Sequence, residues 1–291
     1  MKNGEKLVYT ISIVTIVRND LLGIDKTISS VLEQTYDDVE YIIKDGKSTD
    51  GTSDKIQVLL KQYDGKKSIR YINSADSSIY NAMNQAIEIA SGKWILFLNS
   101  GDYFAENRVL EKIYTSRMLV ENYGMICGSA ITAYNGQLGL WKADISDLSQ
   151  KFPCCHQSCI MQTKFVKQHK FDERYAISAD FNMVLDFWCS KSDDIYVYDG
   201  IISFYSLDGI SANKFILRAK EYFMIRSQHG FSDGVITRVN KRLLALVKEA
   251  MCYAFPQDAL NVIKRLYAKR KYGNVNKDDI NKLYGIEFVE R

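Results

Sequence analysis

The chain has 291 residues, enough for one large domain or for a domain of about 200 residues with an appendage, and either can bury a full core. Its hydrophobic fraction of 46 % and charged fraction of 25 % are those of a soluble globular protein; two prolines leave no room for a Pro-rich linker, and six cysteines at this length do not resemble a disulfide framework, so a reducing, cytoplasmic setting is expected. The net charge of +3 divides unevenly: residues 214–291 hold 16 Lys/Arg against 8 Asp/Glu, a basic tail of +8 on a body of −5, which an acidic membrane surface, a nucleic acid or plain solvation of a helical face would each accommodate.

Residues 8–17 are apolar but too short to span a bilayer, and they run into Arg18-Asn19-Asp20 without a small-residue cleavage site, so they read as the first strand. Leu21, Leu22, Ile24, Ile28, Val31 and Leu32 then recur near helical spacing. Residues 39–44 form a second strand, which ends in Asp45-Gly46-Lys47-Ser48-Thr49-Asp50-Gly51-Thr52; Asp50 there caps a helix over 53–63. A third strand, 69–72, leads through Asn73-Ser74-Ala75-Asp76-Ser77-Ser78 to a helix carrying Ile79, Ala82, Met83, Ala86, Ile87 and Ala90. The fourth, Trp94-Ile95-Leu96-Phe97-Leu98, has the unbroken apolar character of a strand buried on both faces and stops at Asn99-Ser100-Gly101-Asp102.

This β-α-β-α-β-α-β order is the doubly wound pattern of a parallel sheet. Right-handed crossovers then bring Asn19, Asp20, Asp45, Asp76 and Asp102 to one edge, where open α/β sheets bind ligands. Like charges gathered there imply a cation or hydrogen-bond donors to meet them. One carboxylate beside small polar groups, as at Asp102, suits a hard divalent cation held jointly with phosphates.

The second half is less regular. A helix over 106–121, a strand over 125–129 and a hairpin over 131–141 around Asn135-Gly136 are expected, then Phe152-Pro153-Cys154-Cys155-His156-Gln157-Ser158, a short helix near Phe165, a helix from Asp180 to Cys189 and a strand over 195–205. Asp208-Gly209-Ile210-Ser211 reads as a boundary, followed over 213–272 by two or three helices rich in Lys, Arg and aromatic residues. A zinc site from Cys154, Cys155, His156 and Cys159 is disfavoured, because adjacent cysteines project in different directions and the spacing fits no usual ligand pattern.

The chain has no GxxxxGK[ST] loop, no GxGxxG after the first strand, no GxSxG elbow and no HExxH. The ordered motifs it does have are Arg18-Asn19-Asp20, Asp45-Gly46-Lys47-Ser48-Thr49-Asp50-Gly51-Thr52, Asp76-Ser77-Ser78-Ile79-Tyr80-Asn81-Ala82-Met83-Asn84 and Asn99-Ser100-Gly101-Asp102. From residue 11 to about 211 they resemble the bacterial family 2 glycosyltransferases, especially the branch that builds capsule, colanic-acid-like and O-antigen polysaccharides. The resemblance implies an α/β GT-A fold, with a doubly wound, mostly parallel central sheet flanked by helices, as a glycosyltransferase domain over 1–212. Residues 213–291 would then be a helical, basic appendage contacting membrane, acceptor or a second subunit.

The same resemblance implies an inverting, metal-dependent, non-processive transferase, since the QxxRW motif of processive members is absent. It would move one sugar from a nucleotide diphosphate sugar, UDP first and GDP second, to a hydroxyl of a lipid-linked glycan, with Mg²⁺ or Mn²⁺ and without nucleic acid. Its nucleotide-sugar residues would be Asn19, Asp20, Asp45, Asp76, Asn84 and Ser100, with Asp45 reading the base. Asp102 would hold the metal as the last acid of a DxD-type motif whose first acid is here Ser100. Asp180 would be the catalytic base, with His156, Asp172 and Asp186 in reserve, and His156 would line the donor or acceptor pocket. Asp45 as a turn residue, Asp180 as a helix cap and His156 as a core histidine are the competing structural roles. Two rival functions are a sugar-1-phosphate nucleotidyltransferase, which needs a glycine-rich basic loop after strand 1, and a non-catalytic glycan-binding protein.

Overall fold

The structure is a computed structural model and describes residues 9–115, 123–134, 137–147, 152–207, 214–254 and 257–284. The expected boundary at 208–211, the hairpin turn at 135–136 and the end of the helix expected over 106–121 lie outside the described residues.

The first half follows its apolar pattern. Strands β1 (Tyr9–Val17), β2 (Val39–Asp45), β3 (Ser68–Asn73) and β4 (Gly92–Phe97) are all parallel, in the order β3-β2-β1-β4. Helices α1 (Ile24–Leu32), α2 (Thr52–Gln62) and α3 (Ile79–Ile89) make the crossovers. Alternate residues of one strand enter different cores: Val14 and Ile16 pack with α3 and with Ile95 and Phe97, while Ile11 and Ile13 pack with α1 and with Trp94 and Leu96. A side chain of this size buried from water contributes about 1.5–3 kcal/mol, so a register slip in β1 or β4 would sacrifice both layers at once.

Helix starts agree with capping chemistry. Ser78 is the N-cap of α3 and its hydroxyl accepts from Asn81 N–H. Asp50 stands one residue ahead of the α2 N-cap, Gly51, and accepts from Thr52 N–H and from the Thr52 hydroxyl. Leu21 and Leu22 depart from the expected helical stripe. They are exposed in the turn before α1, which begins only at Ile24.

Beyond β4 the sheet becomes mixed. Strands β5 (Tyr103–Phe104), β6 (Met125–Tyr134), β7 (Gln137–Trp141), β8 (Cys159–Gln162) and β9 (Ile195–Ser206) extend it to β3-β2-β1-β4-β8-β6-β9-β5, with β7 on β6. β8 runs antiparallel to β4 and β6, whereas β6 and β9 are parallel. The described part of the helix expected over 106–121 is the shorter α4 (Val109–Tyr114). Helices α5 (Thr163–His169) and α6 (Ala179–Lys191) cover the β8 side, and α7 (Phe215–Gln228), α8 (Val235–Ala254), α9 (Gln257–Tyr272) and α10 (Lys277–Tyr284) follow.

Candidate active site

The carboxyl ends of the four parallel strands are laced together by short polar side chains. Asn19 takes a left-handed conformation (φ 54°), which asparagine tolerates better than most residues. Its Oδ1 accepts from Thr49 N–H at 2.8 Å and its N–H donates to Ser48 Oγ at 2.9 Å, tying the β1 end to the β2 end. Asp20 accepts from Ser100 Oγ–H at 2.7 Å and from Gly23 N–H at 3.0 Å, and so reaches the β4 end. Gly101 turns with φ +92°, its N–H donating to the Thr27 hydroxyl of α1, which in turn donates to the Asp102 carbonyl.

Asp45, at the end of β2, is fully buried and receives Ser48 N–H, Ser48 Oγ–H, Ser53 Oγ–H and Tyr71 O–H. Burial alone would raise its pKa, but the bonds from Ser53, Ser48 and Tyr71 outweigh it and hold the carboxyl below the usual range. Its four acceptor positions are therefore all engaged by the protein. Asp76 pairs with Lys44, whose Nζ lies 2.9 Å from Asp76 Oδ2 and 2.6 Å from the Ser74 carbonyl, with the lysine side chain wholly buried. Asn84 faces the protein: its amide donates to the Phe171 carbonyl and to Glu173, and its oxygen accepts from Phe171 N–H.

Asp102 is not the open-cleft carboxylate that a strand-ending turn suggests. It is 6 % exposed, and its Oδ1 accepts from Ser206 N–H at 3.0 Å, at the far end of β9. Burial pushes its pKa up to about 8, against hydrogen bonds from Ser206 and the Gln157 side chain that lower it, and neighbouring Asp20 raises it further. Among the described residues none of the groups acting on it is a cation. In the same turn the buried Oδ1 of Asn99 has no hydrogen-bond partner. A buried carboxylate in the same turn as an unpartnered amide oxygen fits a divalent cation, for which both are hard oxygen ligands.

Asp180 lies in the first turn of α6 and accepts from the Tyr80 hydroxyl at 3.1 Å. Burial, then the Asp180 charge, raises the Tyr80 phenol well above its ordinary pKa. Burial raises the pKa values of Tyr205 and Cys155 too, and the charges of Asp102 and Asp180 raise them further. His156 sits in a 3-10 turn (His156–Ser158) with its ring stacked on Phe97, centroids 5.5 Å apart, and edge-on to Phe171. The reserve carboxylates point elsewhere. Asp172 forms a bidentate pair with Arg174, and Asp186 lies 3.4 Å from His229 in a polar depression of about 550 Å³ lined by none of the strand-end residues.

Lys44, Thr27, Gln157 and Ser206 belong to this site and carry no motif that would single them out. Cys127 pairs across the ladder with Cys159, and their sulfurs lie with that of Cys154 within 4.8 Å of one another, while Cys155 turns away to Gln157. Five described cysteines are free thiols.

Residues 12–184 match the pattern of the family described as Glycosyl transferase family 2. The chain belongs to that family. A PGL/p-HBAD biosynthesis glycosyltransferase of Mycobacterium bovis is 27 % identical over 156 residues, 53 % of this chain and 60 % of that protein. An Escherichia coli UDP-Glc:alpha-D-GlcNAc-diphosphoundecaprenol beta-1,3-glucosyltransferase, WfaP, is 33 % identical over 104 residues, 36 % of this chain and 40 % of that protein. The chain thus spans about 60 % of the length of the mycobacterial relatives it matches. Among solved structures, S. aureus TarS 1-349 in complex with UDP superposes with a TM-score of 0.59 at 13 % identity, covering 85 % of this chain and 76 % of that one. The mannosyltransferase PcManGT from Pyrobaculum calidifontis, in complex with GDP-Man and Mn²⁺, gives 0.58 at 12 % identity, covering 90 % and 81 %. The fold of this family 2 member is α/β and GT-A-like, a mixed, mostly parallel sheet flanked by helices. No helix among its described residues is long and apolar enough to cross a membrane.

Proposed function

We propose that the chain is an inverting, metal-dependent, non-processive glycosyltransferase that moves one sugar from a nucleotide diphosphate sugar, UDP- before GDP-linked, to a hydroxyl of a lipid-linked glycan in polysaccharide assembly. The observation that carries this reading is the buried Asp102 carboxylate in the turn after β4, held by the Ser206 N–H at the end of β9, with the unpartnered Asn99 Oδ1 in the same turn. Family membership supports the same chemistry.

In this reading the nucleotide lies across the ends of β1, β2 and β3. Asn19, Asp20 and Ser100 keep the loops together, Lys44 holds Asp76 beside the nucleotide, and Asp45 meets the base by exchanging a hydroxyl donor for a ring N–H. Asn84 serves this pocket indirectly, through its hold on Phe171. Asp102, with the Asn99 oxygen, would hold Mg²⁺ or Mn²⁺, which when bound neutralises charge on the departing diphosphate. Asp180 accepts the proton of the acceptor hydroxyl while that oxygen bonds to the anomeric carbon from the face opposite the leaving group. The carbon–phosphate-oxygen bond breaks and its electron pair leaves with the diphosphate. The His156 ring, flat against Phe97, lines the sugar pocket. Residues 1–212 form the transferase domain, and 213–291 an appendage that contacts membrane, acceptor or a second subunit.

The test is thermal unfolding and donor hydrolysis of the purified protein with a panel of UDP- and GDP-sugars, with Mn²⁺ and with excess EDTA. Metal-dependent stabilisation by one carrier, with slow release of its nucleoside diphosphate, is expected. No stabilisation and no turnover with any carrier overturns the reading.

A further inference from the structure

Helix α8 is amphipathic, but it is mounted with its apolar side outward. Ile236, Val239, Leu243, Leu246 and Val247 follow the three- and four-residue spacing of one helix face and are each between 48 and 78 % exposed. The inward side carries Ala245, which is buried, and two lysines. Lys241 lies over the rings of Tyr222 and Phe223 of α7 and 3.6 Å from Asp233, and Lys248 lies over Phe215 and, at 4.7 Å, over Tyr267 of α9. These cation–π contacts fasten the helix through its basic side. Had the stripe served to pack α8 on the body, the two sides would be reversed.

We propose that this face of α8 docks on an anionic lipid bilayer, with the apolar stripe at the acyl boundary and the exposed Arg242 at its border among the headgroups. This narrows the reading of the appendage given above and holds whether or not the chain transfers sugar. Charge decides between a bilayer and a second copy of the chain. Residues 214–291 carry a net +8, and the apolar arc is edged by Arg242. Two-fold self-pairing sets each subunit's patch against the identical patch, so the basic border of one copy would meet that of the other. An anionic surface meets the same border with opposite charge.

The appendage is also joined firmly enough to transmit a position. Lys241 of α8 covers Tyr222 of α7, Tyr222 stacks on Phe181 of α6 at 4.6 Å, and Phe181 follows Asp180 in the chain. A bilayer under α8 therefore holds the proposed base at a fixed place relative to the surface in which a lipid-linked acceptor sits.

The experiment is flotation of the full chain with vesicles of equal parts phosphatidylcholine and phosphatidylglycerol at low salt, beside vesicles of phosphatidylcholine alone. The protein is expected to float with the anionic vesicles and to be released by salt. Leu243→Asp with Val239→Asp, at positions already exposed, should abolish flotation without changing the melting temperature or donor hydrolysis. Arg242→Glu should weaken binding roughly fivefold or more, the scale of losing one basic residue near such a surface. A protein that stays in the soluble fraction, or that binds both vesicle types equally, overturns the proposal. So does a concentration-dependent dimer in sedimentation that Leu243→Asp dissolves while no vesicle binds, which would assign the face to a second copy. Loss of donor hydrolysis with flotation intact would sink the transferase reading and leave this one standing.

Discussion

The Tyr80 hydroxyl donates to Asp180 Oδ1 across 3.1 Å, joining the first turns of α3 and α6 from positions 100 residues apart. Tyr80 is almost wholly buried, so this bond costs little side-chain freedom and fixes the carboxylate of the proposed base. Asp180→Asn should retain donor and metal binding and cut turnover by roughly a hundredfold or more, the usual effect of removing a positioned base. Tyr80→Phe should lower turnover by roughly tenfold, the scale of one hydrogen bond to a charged group, with the donor KM unchanged. If turnover of Asp180→Asn with a true acceptor falls less than about tenfold, Asp180 is not the base and His156 is tested next.

Asp102 couples pH to metal. With its pKa raised from 3.8 to about 8 in the fold, the neutral carboxyl is the favoured form. The metal-free protein holds that contribution in full below pH 4 and loses it as pH rises through 8, because the folded state binds the extra proton between those values. A divalent cation competes with that proton, so the melting-temperature increase caused by Mn²⁺ with a nucleoside diphosphate should grow from pH 6 toward pH 8. Asp102→Asn keeps an acceptor for Ser206 N–H and should flatten the pH dependence of the metal-free protein and abolish the Mn²⁺ effect. An unchanged Mn²⁺ effect in that variant would remove Asp102 from the metal site.

The parallel half of the fold was legible because each strand is an apolar run closed by a polar turn, and such runs need no distant partner to be recognised. Its strand-end acids could be ordered along one edge for the same reason. What surrounds them could not be read. Lys44 counts in the sequence as a strand residue, and its burial against Asp76 and Ser74 depends on the β2–β3 register. The hydrogen bond that Asp102 accepts comes from Ser206, 104 residues away, and the nearness of Cys127 to Cys159 comes from an antiparallel ladder that no spacing encodes. The outward mounting of α8 was equally hidden, since an amphipathic period states that two faces differ and not which one meets the body.

The Lys44–Asp76 pair should dominate local stability. Lys44→Ala leaves Asp76 and the Ser74 carbonyl without their cation in a buried setting, and breaking such a pair costs about 3–5 kcal/mol. Asp76→Asn keeps an acceptor for Lys44 and should cost less. Urea unfolding of the two variants checks the order; equal losses, or a loss from Lys44→Ala below about 1 kcal/mol, would mean the pair is solvated in solution.

Asp45→Ala should do more than weaken nucleotide binding. It removes the acceptor of four donors at once, carried by half-buried Ser48, Ser53 and Tyr71, whose lost bonds water replaces only in part. Tyr71→Phe removes one of those donors and frees one carboxylate position for a base N–H. It should therefore preserve the fold and leave donor affinity equal or higher by calorimetry, whereas Asp45→Ala lowers both; a Tyr71→Phe variant that binds donor as weakly as Asp45→Ala would argue that Asp45 does not meet the base.

Glu221 of α7 reaches the segment that leads into the proposed base. It is 4 % exposed, and its two oxygens accept from Ala176 N–H at 2.7 Å and Ile177 N–H at 3.1 Å, just ahead of the α6 start. Glu221→Gln keeps one acceptor and turns an NH₂ group toward a backbone N–H, so one bond is lost and two donors oppose each other. The backbone before Asp180 should shift while the strand ends, which Glu221 does not touch, keep their geometry. Turnover is therefore expected to fall about tenfold with donor affinity unchanged and stability lowered by about 1–3 kcal/mol, the cost of an unpaired buried donor. Leu243→Asp, in the same appendage but outside this contact, should leave turnover with a water-soluble acceptor as it was. If Glu221→Gln loses donor affinity in step with turnover, Glu221 supports the fold as a whole, and α7 has no particular hold on Asp180.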